Sequence, residues 1–227
     1  MSHTIRQPSE ATTLPSAADV PYPAAKQVFD KTVPAVMVVA LSPLFLLALG
    51  LMAADMLLHR ENRGRWLYRE RRISRGREFD VLKFRVLRED VLAEVGRKGE
   101  YARLYEADHG NLTGAGRIVK RVYADELPQL FNILRGDISM VGPRPWPLPM
   151  VREQVANGLD YRMHVMAGWT GPAQVRKDSR AKAKAVPLDL EYVELCRTLS
   201  GPRLVWHDLK VLRESVRTVL RGRGLKY

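Results

Sequence analysis

The chain has 227 residues, which is enough for one domain with a hydrophobic core and some appendages, and its formal net charge is +12. This positive charge predicts an acidic partner, such as nucleic acid, an anionic membrane face or a phosphorylated substrate. The only cysteine, Cys196, excludes an internal disulfide bond and a zinc site built from cysteines, and it suits a reducing compartment.

The first stretch, to about residue 25, is polar and rich in proline, serine, threonine and alanine. It has neither a periodic apolar pattern nor a visible secretory signal. We therefore predict a disordered tail over residues 1–25.

The next segment, residues 26–60, contains an uncharged apolar run from Val33 to Ala54. The run is 22 residues long, and about 20 residues suffice to cross a bilayer. Basic residues flank both ends, and the positive-inside rule favours the cytoplasm for both flanks. The length and even apolarity of the run make a buried helix of a soluble core the least favoured interpretation.

A serine–proline pair, Ser42 and Pro43, lies in the middle of this run. Proline removes a helical hydrogen bond and kinks the helix, and the serine hydroxyl can bond to a carbonyl freed at the kink. Two interpretations stay open: a bent, re-entrant helix with both ends on the cytoplasmic side, and a straight spanning helix that tolerates the proline.

Two strands follow, at residues 66–69 and 79–86, joined by a turn around residues 74–76. Strand alternation places Lys83 and Arg85 on the same face of the second strand. That face is either a cationic wall for phosphate or an exposed edge that its charges protect against aggregation.

The region from Arg88 to about Ala107 is dense in charge, and we predict a solvated helix without a chemical role. Residues 112–123 then form a basic segment that contains glycine and leads to the next motif. Its glycines and basic residues are Gly114, Gly116, Arg117, Lys120 and Arg121. Alone, this basic segment is weak evidence for phosphate binding.

A helix is predicted from near Asp125 to near Gly136, where the glycine provides a C-terminal cap. Its apolar stripe has helical spacing and consists of Leu127, Leu130, Phe131 and Leu134. Asp125 and Glu126 would then lie at the helix N-terminus, where the dipole lowers the pKa of carboxyl groups. Taken singly, each is also an ordinary cap or first-turn charge.

A Gly-Pro-Arg-Pro turn follows, in which Pro143 and Pro145 restrict the backbone on both sides of Arg144. Further on, Arg162 belongs to a glycine-bearing basic stretch that either covers a nucleotide or merely connects elements. A final amphipathic helix is predicted to pack on the core or to lie in a membrane interface. Its apolar positions are Val205, Leu209, Leu212, Val216 and Val219.

In this order, the motifs resemble those of the bacterial sugar transferases that make polyprenyl-phosphate-linked sugars, the small monotopic phosphoglycosyl transferases. The resemblance extends from about Gln27 to about Gly224. The motifs that carry it are Ser42-Pro43, Lys83-Phe84-Arg85, the Asp125–Leu130 block, the Ser139–Pro145 block and Gly168-Trp169-Thr170-Gly171.

The resemblance implies a mainly helical α/β monotopic membrane protein. Residues 26–60 would form a re-entrant helix broken at Ser42-Pro43, and residues 61–227 a compact cytoplasmic catalytic domain with amphipathic interfacial helices. The protein would lie on the cytoplasmic face of the bacterial inner membrane, in contact with phospholipid.

The resemblance also implies a reaction: a nucleoside diphosphate sugar gives its phosphosugar to polyprenyl phosphate and releases the nucleoside monophosphate. Mg²⁺ is the family's usual cofactor. Asp125 matches the nucleophile, and Glu126 matches the residue that holds the metal. Lys83 and Arg144 match residues that bind substrate, and Lys120 replaces the family's usual arginine.

Asp189 matches a further acidic residue of the family and is either a second metal ligand or a helix cap. Two other functions stay open. One is a membrane-tethered basic module that binds acidic lipid or nucleic acid, although the paired carboxylates would repel nucleic acid. The other is a magnesium-dependent phosphatase or pyrophosphatase. The sugar, the pathway, the polyprenol and the oligomeric state, including a homo-oligomer, also stay open.

Overall fold

The computed structural model describes residues 20–175 and 181–220, with side chains omitted for residues 181–184 and 220. The described residues are mainly helical and contain two small sheets. The helices are α1 (Ala24–Ala40), α2 (Ser42–Leu58), α3 (Glu89–Lys98), α4 (Ala102–Tyr105), α5 (Gly114–Arg121), α6 (Gln129–Arg135), α7 (Leu148–Ala156), α8 (Tyr161–His164), α9 (Pro172–Val175), α10 (Ala181–Thr198) and α11 (Gly201–Leu220). The strands are β1 (Leu67–Ser74), β2 (Arg77–Phe84), β3 (Ser139–Val141) and β4 (Gly168–Thr170).

The sheets each contain two strands and differ in direction. β1 and β2 form the predicted antiparallel hairpin, with Leu67 opposite Phe84 and Ser74 opposite Arg77. β3 and β4 run parallel, with Ser139 paired to Gly168. Lys83 lies one residue before the end of β2, and β3 leads directly into the turn that carries Arg144.

The apolar segment consists of two helices that meet at Leu41 with a bend of 58°. Ser42 donates its hydroxyl to the carbonyl of Val39 at 2.8 Å, and Pro43 occupies the first turn of α2, where its missing N–H is not needed. Among the described residues, no single helix has the length and apolarity to cross a bilayer, whereas this bent pair together meets both requirements. The break at Ser42-Pro43 is therefore confirmed, and a straight helix is not formed.

The first leg of the bent pair is anchored in the core by buried charges. Lys26 forms an ion pair with Asp208 of α11 and also donates to the carbonyl of Val141. Asp30 accepts the backbone N–H of Met140 at 3.0 Å. Both α1 side chains are almost fully buried, so α1 is joined to β3.

The second leg is joined to α5. Asp55, near the end of α2, accepts the backbone N–H of Ala115 at 3.0 Å and the side-chain amide of Asn62 at 3.1 Å. Ala48 and Met52 of α2 pack in one apolar cluster with α5.

The described part of the chain begins before the expected domain boundary. Val20 is 3% exposed and packs in the main core, and α1 begins at Ala24 rather than at residue 26. The rest of the predicted tail, residues 1–19, and residues 176–180 lie outside the described residues.

The helix predicted from Asp125 starts later than expected. Ala124–Glu126 form a 3-10 turn, and α6 begins at Gln129. Pro128 has no N–H to donate to the carbonyl of Ala124, so the N–H of Leu127 bonds there instead, at 3.2 Å. The predicted end is confirmed, because Gly136 adopts a left-handed conformation with φ of 92°.

The charged stretch after Arg88 differs from the single solvated helix that was predicted. It forms two helices, α3 and α4, and Val91 and Val95 bury one face of α3. In α11, Leu204 and Asp208 are buried, and Val205 and Leu212 of the predicted stripe pack against the core. The other three residues of the stripe, Leu209, Val216 and Val219, are exposed.

Candidate active site

A cavity of about 710 Å³ opens where β2, α5 and the 3-10 turn meet. Its carboxylates come from Glu106, Asp125 and Glu126. Its cationic side chains are Lys83, Arg103, Arg117, Lys120, Arg121 and Arg144. The cavity therefore combines two adjacent carboxyl groups with walls suited to phosphate.

The turn that carries the carboxyl groups is set by an unusual backbone conformation at Tyr123. This residue has φ of 58°, in the left-handed region that residues other than glycine rarely adopt. It redirects the chain from α5 into the 3-10 turn. Because a 3-10 helix has three residues per turn, Asp125 and Glu126 point about 120° apart.

Asp125 is 7% exposed. Burial raises its pKa to about 7, and the neighbouring charge of Glu126 adds to this effect, while Lys83 opposes it. The expectation that the helix dipole lowers the pKa is wrong for Asp125, because the α-helix begins four residues later and burial outweighs any dipole.

Glu126 stands between two cations. Lys83 Nζ lies 3.2 Å from Glu126 Oε1, and Arg144 Nη2 lies 3.7 Å from the same oxygen. Burial, the largest single influence, favours the neutral form of Lys83, but the carboxylates of Glu126, Asp125 and Glu106 together outweigh it, so the pKa of Lys83 is raised. The structure thus brings Lys83, Glu126 and Arg144 together beside Asp125.

Arg162 hydrogen-bonds to the backbone of the turn that carries Arg144. Arg162 donates to the carbonyl of Arg144, to Gln154 Oε1 at 2.9 Å and to Asp189 Oδ2 at 2.8 Å. Its guanidinium also stacks on the ring of Trp146 at 4.3 Å. Because Arg162 is 6% exposed and each of its guanidinium nitrogens donates a hydrogen bond within the protein, this placement favours positioning of the Arg144 turn over the predicted contact with substrate.

Asp189, in α10, is buried and accepts bonds from Arg162 and from the hydroxyl of Tyr161. Burial raises its pKa, although Arg162 opposes the shift. It does not line the cavity that contains Glu126, so the metal-binding role predicted for it finds no support in this geometry. The stretch from Gly168 to Thr170 likewise forms β4, which favours a connecting role over cover for a nucleotide.

Unlike Lys83, Arg85 does not line the cavity that contains Asp125. β2 ends at Phe84, so the strand alternation that predicted a shared face does not extend to Arg85. Its guanidinium donates to the carbonyls of Arg65, Leu87 and Asn62, at 2.6, 2.9 and 2.6 Å. The side chain is 2% exposed, and each of its three guanidinium nitrogens already donates to a carbonyl, so this placement does not favour the predicted substrate contact.

Lys120 does line the cavity, but its ammonium already bonds to Glu106, at 3.0 Å from the carbonyl and 2.7 Å from Oε2. Glu106, Arg103 and His109 were not predicted as site residues. Arg103 and Glu106 lie in the charge-dense region, where no motif is recognisable, and His109 lies just beyond it; only the fold brings them to the cavity.

The glycines of the basic segment 112–123 have a packing role. A Cβ atom on Gly116 would lie 2.3 Å from the carbonyl oxygen of Val86, so no larger residue fits there. The basic side chains of α5, not its glycines, are what this segment presents to the cavity.

The carboxylates present would suit Mg²⁺ in one particular manner. Within the described residues, no three side chains of the metal-binding types cluster as a complete cation site. Mg²⁺ usually binds through one or two carboxylates together with substrate phosphates and water. Asp125 and Glu126, adjacent in a cavity with room for a diphosphate, meet that requirement.

Comparison with known families gives one match over most of the chain. The model of the family described as bacterial sugar transferase matches residues 22–222. The matched range includes both legs of the bent helix pair and every cavity residue named above.

Several curated proteins are similar in sequence. Exopolysaccharide production protein ExoY of Sinorhizobium fredii is 31% identical over 215 residues, covering 88% of this chain and 87% of that protein. The UDP-galactose-lipid carrier transferase of Erwinia amylovora is 33% identical over 211 residues, covering 88% of this chain and 41% of its own length. The undecaprenyl-phosphate glucose phosphotransferase of Komagataeibacter xylinus is 32% identical over 213 residues, covering 88% of this chain and 36% of that protein. The chain thus spans less than half of the second and third proteins.

Proposed function

Because the chain belongs to the bacterial sugar transferase family, we propose that it transfers a phosphosugar from a nucleoside diphosphate sugar to polyprenyl phosphate. A UDP-sugar and undecaprenyl phosphate are the substrates that the names of its relatives support. The products are polyprenyl-diphosphate-sugar and UMP. The reaction is the first membrane step in building an exopolysaccharide or a related glycoconjugate, and the relatives' differing sugars leave the sugar open.

The observation that carries this proposal is a buried carboxyl group, Asp125, facing a cavity with six cationic side chains. A diphosphate would repel a carboxylate nucleophile in water. Lys83 and Arg144, both beside Glu126, offset the charge of the phosphates and hold them for reaction.

The reaction proceeds in two displacements at one phosphorus atom. The ionised Asp125 attacks the phosphorus that carries the sugar, the bond from that phosphorus to the bridging oxygen breaks, and UMP leaves with the electron pair. A phosphate oxygen of polyprenyl phosphate then attacks the same phosphorus and releases the Asp125 carboxylate. The covalent aspartyl-phosphosugar allows an aqueous and a lipid substrate to use one site in turn.

Asp125 must be ionised to attack. Since its pKa is about 7, both protonation states are present in the free protein near neutral pH. The cationic walls favour the ionised form as the donor is bound, and the shielded position of Asp125 keeps water from competing with the lipid acceptor.

Mg²⁺ is part of the proposal, with Glu126 as its main ligand and Asp125 beside it. When bound, it supplies positive charge that polarises the phosphoryl group. Glu126 is the suitable ligand because it is partly exposed to the cavity, while Lys83 and Arg144 fix its orientation.

We further propose that the bent helix pair is a re-entrant membrane element on the cytoplasmic side of the inner membrane. Exposed apolar side chains on both legs support this, among them Val36 and Val39 on α1 and Leu46 and Leu47 on α2. The exposed apolar stripe of α11 would lie in the same interface. A cavity at the membrane surface would give the lipid acceptor access without leaving the bilayer.

The test uses the full chain in detergent with Mg²⁺, undecaprenyl phosphate and a panel of UDP-sugars. Release of UMP together with a lipid-linked product is expected for one sugar. Without acceptor, intact-mass analysis should show the phosphosugar adduct on the protein. Asp125→Asn should abolish the adduct and turnover, whereas Asp90→Asn, in the exposed first turn of α3, should retain both.

Three results would redirect the assignment. Retained turnover by Asp125→Asn would rule out this nucleophile. UMP release that needs no lipid would indicate a hydrolase, and salt-sensitive retention of nucleic acid without turnover would indicate a binding module.

A further inference from the structure

Helix α5 presents two different faces next to each other. Arg117 and Arg121, four residues apart, both line the cavity that contains Asp125. Ile118 and Val122, one position further in each case, are 51% and 53% exposed. A pair of cations therefore lies beside a pair of uncovered aliphatic side chains.

Three other cations of the cavity are already neutralised within the protein. Lys83 and Arg144 face Glu126, and Lys120 faces Glu106. Over the ranges that the structure describes, Arg117 and Arg121 form no ion pair. Side chains at positions i and i+4 lie about 6 Å apart on a helix, a separation over which two guanidinium groups can hold one phosphate.

The apolar face of α5 adjoins the bent helix pair. Ala115 and Val119 pack with Ala48 and Met52 of α2, and Asp55 fixes the first turn of α5. α5 thus lies between the apolar segment on one side and the cavity on the other. A ligand that joins a phosphate to a long hydrocarbon chain fits this arrangement better than a water-soluble anion does.

We infer that Arg117 and Arg121 form the acceptor subsite of the proposed reaction. The phosphate of polyprenyl phosphate is held between the two guanidinium groups, and its hydrocarbon chain passes over Ile118 and Val122 towards the membrane. This inference rests on the proposed function. It divides the cavity into a donor side, formed by Lys83 and Arg144, and an acceptor side, formed by α5.

The two half-reactions separate these sides experimentally. In the double variant Arg117→Gln/Arg121→Gln, we expect the KM for undecaprenyl phosphate to rise roughly tenfold to a hundredfold, the loss expected for charge-assisted hydrogen bonds. The burst of UMP without acceptor, and the KM for the UDP-sugar, should change by less than about twofold. Both arginines are exposed, so their replacement removes no buried contact. Arg97→Gln, an exposed arginine of α3 away from the cavity, is the matched control and should leave all three quantities unchanged.

A separate experiment tests the two aliphatic residues of the proposed subsite, Ile118 and Val122. Ile118→Asn/Val122→Asn should raise the KM for undecaprenyl phosphate but not for dimethylallyl phosphate, which has the same head group and almost no chain. Arg117→Gln/Arg121→Gln should raise the KM for both acceptors.

Three results would overturn the inference while leaving the proposed function intact. The first is an unchanged acceptor KM in the arginine double variant. The second is loss of the UMP burst in that variant, which would place the arginines on the donor side. The third is reduced binding to phosphatidylglycerol vesicles with unchanged kinetics, which would make the arginines a phospholipid contact. Absence of UMP release from the wild-type protein and from Arg97→Gln alike would instead refute the proposed function, and the inference with it.

Discussion

Lys26, at the start of the apolar helix pair, forms a buried ion pair with Asp208, 182 residues further along the chain. Asp208 also accepts the hydroxyl of Tyr192 at 3.0 Å, and Tyr192 donates to Val141 as well. Helices α1, α10 and α11 and strand β3 therefore share one polar cluster inside the core.

Replacing one partner of this pair should be costly. Lys26→Met leaves Asp208 buried without a counter-ion, and we expect a loss of about 3–5 kcal/mol in the free energy of unfolding. Lys31→Met, an exposed lysine on the same helix, should cost less than about 1 kcal/mol. In Lys26→Met/Asp208→Leu, only part of the loss should return, because Asp208 no longer remains as a buried charge but Asp30, which lies 3.8 Å from Lys26, still loses its counter-ion. Equal melting temperatures for Lys26→Met and the wild type would contradict this expectation.

The buried carboxyl group of Asp125 should make the folded protein less stable as the pH rises, whereas a carboxylate with a lowered pKa has the opposite effect. The pKa of Asp125 is about 7 in the folded protein, against 3.8 as the ordinary value, so the folded state binds the proton more tightly. The free energy of unfolding should therefore fall as pH rises from about 4 through about 7, by up to roughly 4 kcal/mol. Asp125→Asn lacks this contribution and should gain stability over the wild type between about pH 5 and about pH 8, measured without divalent cations. A difference that does not vary with pH would argue against a raised pKa.

The dependence of activity on the Mg²⁺ concentration should distinguish the role of Asp189 from that of Glu126. Glu126→Gln should raise the Mg²⁺ concentration needed for half-maximal activity by about tenfold or more, because it removes the proposed ligand. Asp189→Asn should lower turnover by disturbing Arg162 and Arg144 but leave that concentration unchanged. A raised Mg²⁺ requirement in Asp189→Asn would restore its predicted role as a metal ligand.

Gly142, two residues before Arg144, should tolerate no side chain. A Cβ atom there would lie 2.4 Å from the carbonyl oxygen of Met166, where β3 and β4 meet. Gly142→Ala should cost about 1–3 kcal/mol or more and reduce activity by shifting the arginine turn. Gly96→Ala is the control: it has open space in the interior of α3 and should stabilise the protein by about 0.5–1 kcal/mol. Equal stability of Gly142→Ala and the wild type would show that the strand pair can move apart.

Cys196 should be chemically inert in the folded protein. Burial raises the pKa of its thiol to about 11, and the thiolate is the reactive form. Maleimide should label it only after unfolding. Rapid labelling with full activity would show that α10 opens locally.

The sequence identified the groups that lie close to one another along the chain or in a recognisable motif. Asp125, Glu126, Lys83 and Arg144 meet in the structure because the hairpin and the parallel strand pair converge on the 3-10 turn. The break at Ser42-Pro43 was also predictable, since proline acts locally on a helix.

What the sequence did not reveal depends on tertiary contacts. Arg85 follows the strand pattern of Lys83 but lies one residue beyond the end of β2, and three carbonyls take its donors. Glu106 reaches the cavity from a stretch whose composition resembles an ordinary solvated surface. The pKa of Asp125 could not be predicted from helix position, because burial is not visible in a local pattern.

The two legs of the bent pair are fastened to different parts of the reaction centre. Asp30 on α1 bonds to Met140, just before the arginine turn, and Asp55 on α2 bonds to Ala115, at the start of the helix that leads to Asp125. A change in the angle at Leu41 would therefore move the two halves of the cavity relative to each other. In the re-entrant placement proposed above, the thickness and lateral pressure of the bilayer would act on this angle, so that lipid composition would become a tuning variable of the cavity.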